Sequence, residues 1–395
     1  MVAMATATEA SEHDGIQVAD LMGILPSLQD FLAPYRKLMA RAEQREHLRV
    51  LVGGLLSDLE RKSVEPIASH FGLPRRPLQR FVGDGCWGDE RVREEIRVQV
   101  AREIGDPDGV LVIDNSGFKK QGTDSVGVER QWCGRLGKVD NCQIGYFLGY
   151  STARGHALVD AQLYLPKSWA GDPERRSGVD VPAERVFRKG WELADELLLK
   201  AAPDLPHSWI VGDDEFGRPS EFRDRLANRS ARYLLDVPAT VRVRKPAHWP
   251  GSAVTWKTVA KRARKQAPKK WRRVLLRDGE KGPIFVEAFA TRVETSRKGG
   301  ATRLETLLIV RNLSHTQTWY RLANGDAPLD VELLVGVASH RHRIEQLFGA
   351  GKGEVGLDHY EVRSWVGWHH HMTLSMLALW YLVRERRRLG KKLLN

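Results

Sequence analysis

GVLVIDNSG, residues 109–117, is an apolar run that ends in an acid and a polar turn. Four consecutive apolar residues, three of them β-branched (Val110, Val112 and Ile113), describe a strand buried on both faces, as strands inside an α/β sheet are. SWIVGDD, residues 208–214, repeats the pattern. Between the two lie the strand-like runs IGYFLGYSTA (144–153) and HALVDAQLYL (156–165) and the helical segment ERVFRKGWELADELLLKAA (184–202). After them come a helix starting near Ser220 and the strand ARYLLDVPA (231–239). Three strands, a helix, a strand, a helix and a strand make a mixed α/β layout.

On this reading Asp114 closes the first strand and Asp213 the fourth, and in open α/β sheets strand ends are where ligand sites form. One Asp in such a place usually caps a helix or turn; two of them together with an acid on a helix make a rarer combination. Helical periodicity returns near Ser339, where Arg341, Glu345 and Lys352 stand at offsets of zero, four and eleven. At roughly 100° per residue all three fall within about 40° and share a face, while Glu354 points to the opposite side. Three converging carboxylates repel by roughly 4 kcal/mol per pair at 4 Å with an effective dielectric near 20, a cost that a divalent cation removes. Oxygen-only ligands select Mg²⁺, with Mn²⁺ as a substitute, over zinc. Two such ions about 3.5–4 Å apart activate a water or a 3′-hydroxyl and stabilise the leaving oxygen of a phosphodiester. Asp114, Asp213 and Glu345 are therefore candidate catalytic and metal-binding residues. Arg341 and Lys352 are candidates for binding the phosphates of the strand being cut, although solvated helix charge explains either one taken alone.

The surrounding chain fits a nucleic-acid partner. The net charge is +12, and the stretch from Val237 to Arg277 contains thirteen Lys or Arg and no Asp or Glu. Cations that neutralise phosphates release condensed counterions, which drives association. Within that stretch Lys261, Arg262, Arg264, Lys265, Lys269, Lys270, Trp271, Arg272 and Arg273 are candidate DNA contacts. Trp249, Trp256 and Trp271 could stack on bases beside them, and packing of a β subdomain explains them as well. Arg outnumbers Lys by 43 to 19, a bias that a GC-rich genome also produces, so it carries little weight.

Five regions follow. Residues 1–20 are expected to be a disordered tail without the basic start and apolar centre of a secretory signal. Residues 21–104 form an all-α N-terminal domain. In it SVEPIASHFGLPRRPLQRFV (63–82) reads as a helix-turn-helix with Arg75, Arg76, Gln79 and Arg80 on its second helix, for which plain helix packing is the alternative. Residues 105–239 are the first part of an α/β core, 240–329 a basic β-rich insertion, and 330–395 the second part of the core with a C-terminal helix and a basic tail, RERRRLGKK. The longest nearly uncharged run, 370–383, falls short of the twenty or so residues of a membrane span, so a cytoplasmic protein is expected. Cys86, Cys133 and Cys142 lack the paired spacing of a zinc site or disulfide framework and read as reduced packing residues. His369, His370 and His371 cannot all face one metal from a helix and read as exposed to solvent or DNA.

Beyond these patterns, VLVIDNSGFKKQGTDSVGVERQWCGRLGKVDNCQIGYFLGY, LYLPKSW, VGDDEFG and HRIEQLFGAGKGEVGLDHYEVRSWVGWHHHMTLSMLA resemble, in that order, the DDE transposases of bacterial insertion sequences. The resemblance covers most of residues 60–385 and extends to the insertion-sequence-701 group, related to transposases with a Tyr-Arg-Glu-Lys signature. It implies a ribonuclease-H-like core interrupted by a β insertion between the second Asp and the Glu. It assigns Asp114, Asp213 (within the Asp-x-x-aromatic-Gly pattern completed by Phe216 and Gly217) and Glu345 as the three acids, with Arg341 and Lys352 as the basic signature residues. Where the signature has Tyr, this chain has Ala338. In such transposases an insertion-domain Trp can hold a flipped base during hairpin formation. The implied activity is cut-and-paste transposition, in which a dimer on double-stranded DNA cleaves terminal inverted repeats and joins the 3′-hydroxyls to target DNA. A DNA-binding regulator that does not cut, and a ribonuclease-H-like nuclease without strand transfer, are the alternatives.

Overall fold

The computed structural model describes residues 24–249, 255–279 and 282–390; the tail expected at 1–20 lies outside them. Five helices come first: α1 (Ile24–Lys37), α2 (Ala42–Leu56), α3 (Val64–His70), α4 (Arg75–Gly83) and α5 (Asp89–Ile104). Then follow β1 (Val110–Lys119), β2 (Glu129–Cys133), β3 (Lys138–Thr152) and β4 (Gly155–Leu163). Helix α6 (Gly190–Ala201) leads to β5 (Trp209–Gly212), the one-turn helix α7 (Asp214–Gly217), α8 (Ser220–Asn228) and β6 (Tyr233–Asp236).

These strands make a core with the order β4-β3-β1-β5-β6. β1 runs antiparallel to β3 over its whole length and parallel to β5 from Val110↔Trp209 to Ile113↔Gly212, and β5 runs parallel to β6. The buried run that reads as a strand ending at Asp114 in fact continues to Lys119. Asp114 is a mid-strand residue, and what ends beside it is the pairing with β5. The apolar signal stops there because β5 stops, while β3 continues to pair with β1. Sequence periodicity also misses β2, whose alternation of exposed and buried residues is too short to stand out.

The insertion is not a separate sheet. β7 (Arg242–Arg244), β8 (Lys257–Thr258), helix α9 (Val259–Arg264), β9 (Arg272–Gly279), β10 (Gly282–Ser296), β11 (Thr302–Asn312) and β12 (Thr318–Asn324) extend the core, because β12 pairs antiparallel with β6 through Leu322↔Leu235 and its neighbours. The described residues thus form a single twelve-stranded sheet. A small second core of Val243, Val259, Phe289, Val293 and Ile309 fills the insertion. At the junction, buried Glu305 on β11 is paired with Arg223 of α8 at 2.8 Å and accepts a 2.6 Å hydrogen bond from the Tyr233 hydroxyl.

Helices α10 (Val331–Ser339), α11 (Arg341–Glu354) and α12 (Trp365–Leu389) complete the chain. The N-terminal helices share their apolar core with the sheet and with α12. Arg93 and Arg97 of α5 reach Asp160 of β4 at 2.8 and 3.2 Å, three charges buried together. Such a cluster is tolerated because each member is paired. Buried Lys62 donates from Nζ to the carbonyls of Leu55 and Glu354 at 3.0 and 2.5 Å, capping the ends of α2 and α11 with one ammonium. Cys133 and Cys142 are buried free thiols and Cys86 is exposed. Among the described residues no helix is long and apolar enough to cross a membrane.

Candidate active site

The parallel pairing of β1 with β5 sets Asp114 and Asp213 side by side, each one residue beyond the last register pair, Ile113↔Gly212. Asp114 is buried, and its Oδ1 accepts a 2.8 Å hydrogen bond from the Asn115 N–H. Asp213 is the N-cap of α7, its Oδ1 accepting from the Glu215 N–H at 3.0 Å. That turn is forced by Gly217: a Cβ there would stand 1.8 Å from the Asp236 carbonyl oxygen, so only glycine lets α7 lie against β6. Phe216, fully buried, anchors it. The Asp-x-x-aromatic-Gly pattern is thus a device that pins the carboxylate of Asp213.

Both carboxyls sit above the usual range. Burial raises Asp114 to about 7, helped by the neighbouring Asp213 and opposed by Arg341. Burial likewise raises Asp213, again opposed by Arg341. A buried and a half-buried acid side by side with too little countercharge make a pair that a cation would stabilise.

The two lie at the base of a cleft of about 730 Å³ that is also lined by Arg341, Glu345 and Lys352 of α11, by Ser116 of β1, and by Trp132 and Arg135 of the β2–β3 hairpin. The helix bearing Glu345 begins at Arg341 rather than Ser339. Arg341 donates to Glu345 Oε1 at 2.6 Å and lies 3.9 Å from Asp236, and its Nε makes no hydrogen bond. Burial works against its charge, but Asp114, Asp236, Glu345 and Asp213 outweigh it and raise its pKa. His342 approaches the other Glu345 oxygen at 3.3 Å. Lys352 donates from Nζ to Ser116 Oγ at 2.7 Å; burial, then Arg135, lowers it to about 8.

Among the described residues no three His, Cys, Asp or Glu side chains converge into a metal-holding group. The Glu345 carboxylate is turned onto Arg341. The donor chemistry nonetheless fits a hard divalent cation: oxygen donors only, one buried and one half-buried and both short of positive charge, with a third on the wall of the same cleft.

Several residues here are missed by sequence reasoning. Glu215 accepts from Asn115 Nδ2 at 2.8 Å and from the Tyr146 hydroxyl, and burial raises it. Ala338 is buried in α10 away from the cleft; the tyrosine beside these acids is Tyr146, from β3. The signal for Ser116 was available, because positions i and i+2 of a strand share a face and place it with Asp114.

The remaining candidates lie elsewhere. Arg75, Arg76 and Arg80 are exposed on α4, with Arg75 paired to Glu65 at 2.8 Å, and none lines the cleft. Lys261, Arg264, Lys265, Lys269, Lys270, Arg272 and Arg273 are exposed on the insertion. Arg262 is buried with its Nε unpartnered, and it lines a second cleft of about 690 Å³ with Lys245, Lys257, Lys265, Lys269, Lys270 and Trp249. Trp271 packs edge-on against Phe289, with the Arg311 guanidinium 3.8 Å from its ring centre, so packing already occupies it. The His369–His371 run is buried, which corrects the expected exposure: the three rings contact the carbonyls of Trp365, Val82 and Trp87, and Gly356.

Compared with known proteins, residues 34–283, more than half of the chain, match the family described as "DDE superfamily endonuclease". The chain belongs to that family. A curated relative from Microchaete diplosiphon, "Probable transposase for insertion sequence element IS701", is 36% identical over 110 residues, 27% of this chain. The matched stretch spans 28% of that relative's own length. The family match includes Asp114 and Asp213 and stops before α11. Glu345 therefore rests on its motif and on its place in the cleft.

Proposed function

We propose that this DDE-family protein is an insertion-sequence transposase that cuts double-stranded DNA at terminal inverted repeats and joins the freed 3′-hydroxyls to target DNA. The observation that carries the reading is the pair of undercompensated carboxylates, buried Asp114 and half-buried Asp213, in a cleft that is also lined by Glu345, Arg341 and Lys352. The strand order β4-β3-β1-β5-β6 supports a ribonuclease-H-like core, and residues 240–329 its basic insertion. The N-terminal region, whose described residues 24–104 share a core with the rest, acts as a DNA-contacting region rather than as an independent unit.

In this proposal Asp114, Asp213 and Glu345 hold two Mg²⁺ ions, or Mn²⁺ in their place. Held there, such ions would supply an acidified water or 3′-hydroxyl and charge stabilisation for the leaving oxygen. The chain's own residues do the positioning. Glu345 turns from Arg341 toward the two aspartates, which frees Arg341 for a phosphate of the strand being cut. Lys352, held beside Ser116, takes a second phosphate. Glu215, fixed by Tyr146 and Asn115, keeps the base of the cleft in place. The cations of the insertion and of α4 bind the flanking duplex, and two copies act on two ends.

Incubating the purified protein with labelled terminal-repeat DNA and Mg²⁺ tests this. The expected result is nicking at the repeat boundary followed by joined product, both lost on Asp114→Ala. Equal nicking by that variant would remove the assignment, and cleavage without joining would leave a nuclease.

A further inference from the structure

The β2–β3 hairpin exposes three large apolar side chains beside the cleft. Trp132 is 60% exposed, its cross-strand partner Val139 is 51% exposed, and Leu136 lies in the open on the turn between them. Single exposed apolar side chains are ordinary, but a contiguous group of them beside a cleft marks an interaction site. Trp132 makes no hydrogen bond, ring contact or cation contact among the described residues, although it lines the cleft that contains Asp114 and Asp213.

The hairpin that carries it is firmly built. Cys133 and Cys142 are buried beneath it, and Gln131 Nε2 donates to the Cys142 carbonyl at 2.9 Å. Gly117 of β1 lies so close that a Cβ there would stand 2.4 Å from Cys133 Sγ. Gly137 closes the turn in the left-handed region, at φ 61°, and Arg135 ties it to Asp358 at 2.7 Å. An exposed ring on a fixed support is suited to receive a ligand without losing much conformational freedom on binding.

The surroundings narrow the ligand. Arg130, two residues away on the same face of the strand, and Arg135, on the wall of the same cleft, are exposed beside the ring, and Arg135 shares its charge with Asp358. A flat apolar surface flanked by two arginines at the edge of a carboxylate cleft matches a nucleobase on a phosphate backbone. It does not match a base still paired in a duplex, whose faces are covered by its neighbours.

We infer that Trp132 is a stacking platform for an unpaired base of the DNA strand entering the cleft, so that this site takes single-stranded or frayed DNA ends in preference to intact duplex. The inference rests on the nuclease reading for its biological use. Its test does not, because binding is measured without metal and without cleavage.

The full-length protein is titrated with two fluorescein-labelled DNAs, a blunt duplex and the same duplex with a short single-stranded 3′ extension, and anisotropy is followed. Trp132→Ala is expected to weaken binding of the extended DNA about ten- to a hundredfold, the range of one lost base stack, and to change blunt-duplex binding less than twofold. Trp132→Phe, which keeps a stacking face, is expected to stay within about threefold of wild type on both. Equal losses on both DNAs, or no loss on the extended one, overturn the platform. If the wild-type protein cuts with Mg²⁺ while Trp132→Ala keeps its affinity for the extension, the platform alone is wrong. If Trp132→Ala shows the selective loss while the wild type never cuts, the nuclease reading alone is wrong.

Discussion

Asp114 illustrates how one side chain can oppose the stability of its own fold. Its carboxyl, raised by burial to about 7, binds a proton in the folded chain over a range where the unfolded chain has already released it. The cost of ionising it therefore grows as pH climbs from about 4 to 7 and is fully present above that. Asp114→Asn removes the charge, so urea unfolding of metal-free protein at pH 8 should show the variant more stable by on the order of 2–4 kcal/mol, with the difference vanishing near pH 4. Mg²⁺ should raise the melting temperature of the wild type at pH 8 and leave that of Asp114→Asn nearly unchanged; equal shifts in both would count against a cation on these acids. The two aspartates were legible in the sequence because an apolar run followed by an acid depends only on neighbours along the chain. Glu215 was not legible: its partners, Tyr146 and Asn115, come from other strands, and its own surroundings resemble an ordinary acidic turn.

Elements add constraints that single residues do not display. In α7, Gly217→Ala would drive a methyl into the Asp236 carbonyl oxygen. The variant should lose several kcal/mol by denaturant unfolding, about 3 being ordinary for overpacking of this kind, and lose cleavage with it through displacement of Asp213. In α12, burial holds His369 and His371 at about 4, and His370 is lowered too. The unfolded chain takes up protons at these positions as pH falls below about 6.5 while the folded chain does not, so stability declines from there down to about 4. Each site contributes a slope of up to about 1.4 kcal/mol per pH unit. His371→Phe should flatten the acid side of the stability curve by roughly one such proton, as read by urea midpoints between pH 4 and 7. The helix itself was visible in the sequence, but its exposure was misjudged, because the carbonyls of Val82, Trp87 and Gly356 that receive the rings belong to other parts of the chain.

For the whole molecule the distribution of charge governs association. If α4 and the insertion make six to ten phosphate contacts with DNA, affinity should fall by about three to five decades between 50 and 200 mM salt. A flat response in a filter-binding titration would remove the nucleic-acid reading at its root. Charge asymmetry of this kind, a matter of composition, was plain in the sequence, and so was the α/β order of the core. The edge-to-edge joining of insertion and core was not, because strand partners far apart in sequence leave no periodic trace.

That joining has a mechanical consequence. Since β12 is hydrogen-bonded to β6, and β6 lies two strands from Asp114, the cations of the far ribbon and the two aspartates ride on one stiff plank, not on two bodies linked by a tether. On the proposed function, the spacing between where the duplex is gripped and where it is cut would be set by a ruler made of backbone. Lengthening the outer β9–β10 hairpin would extend the reach of the grip, yet the cut position would stay the same.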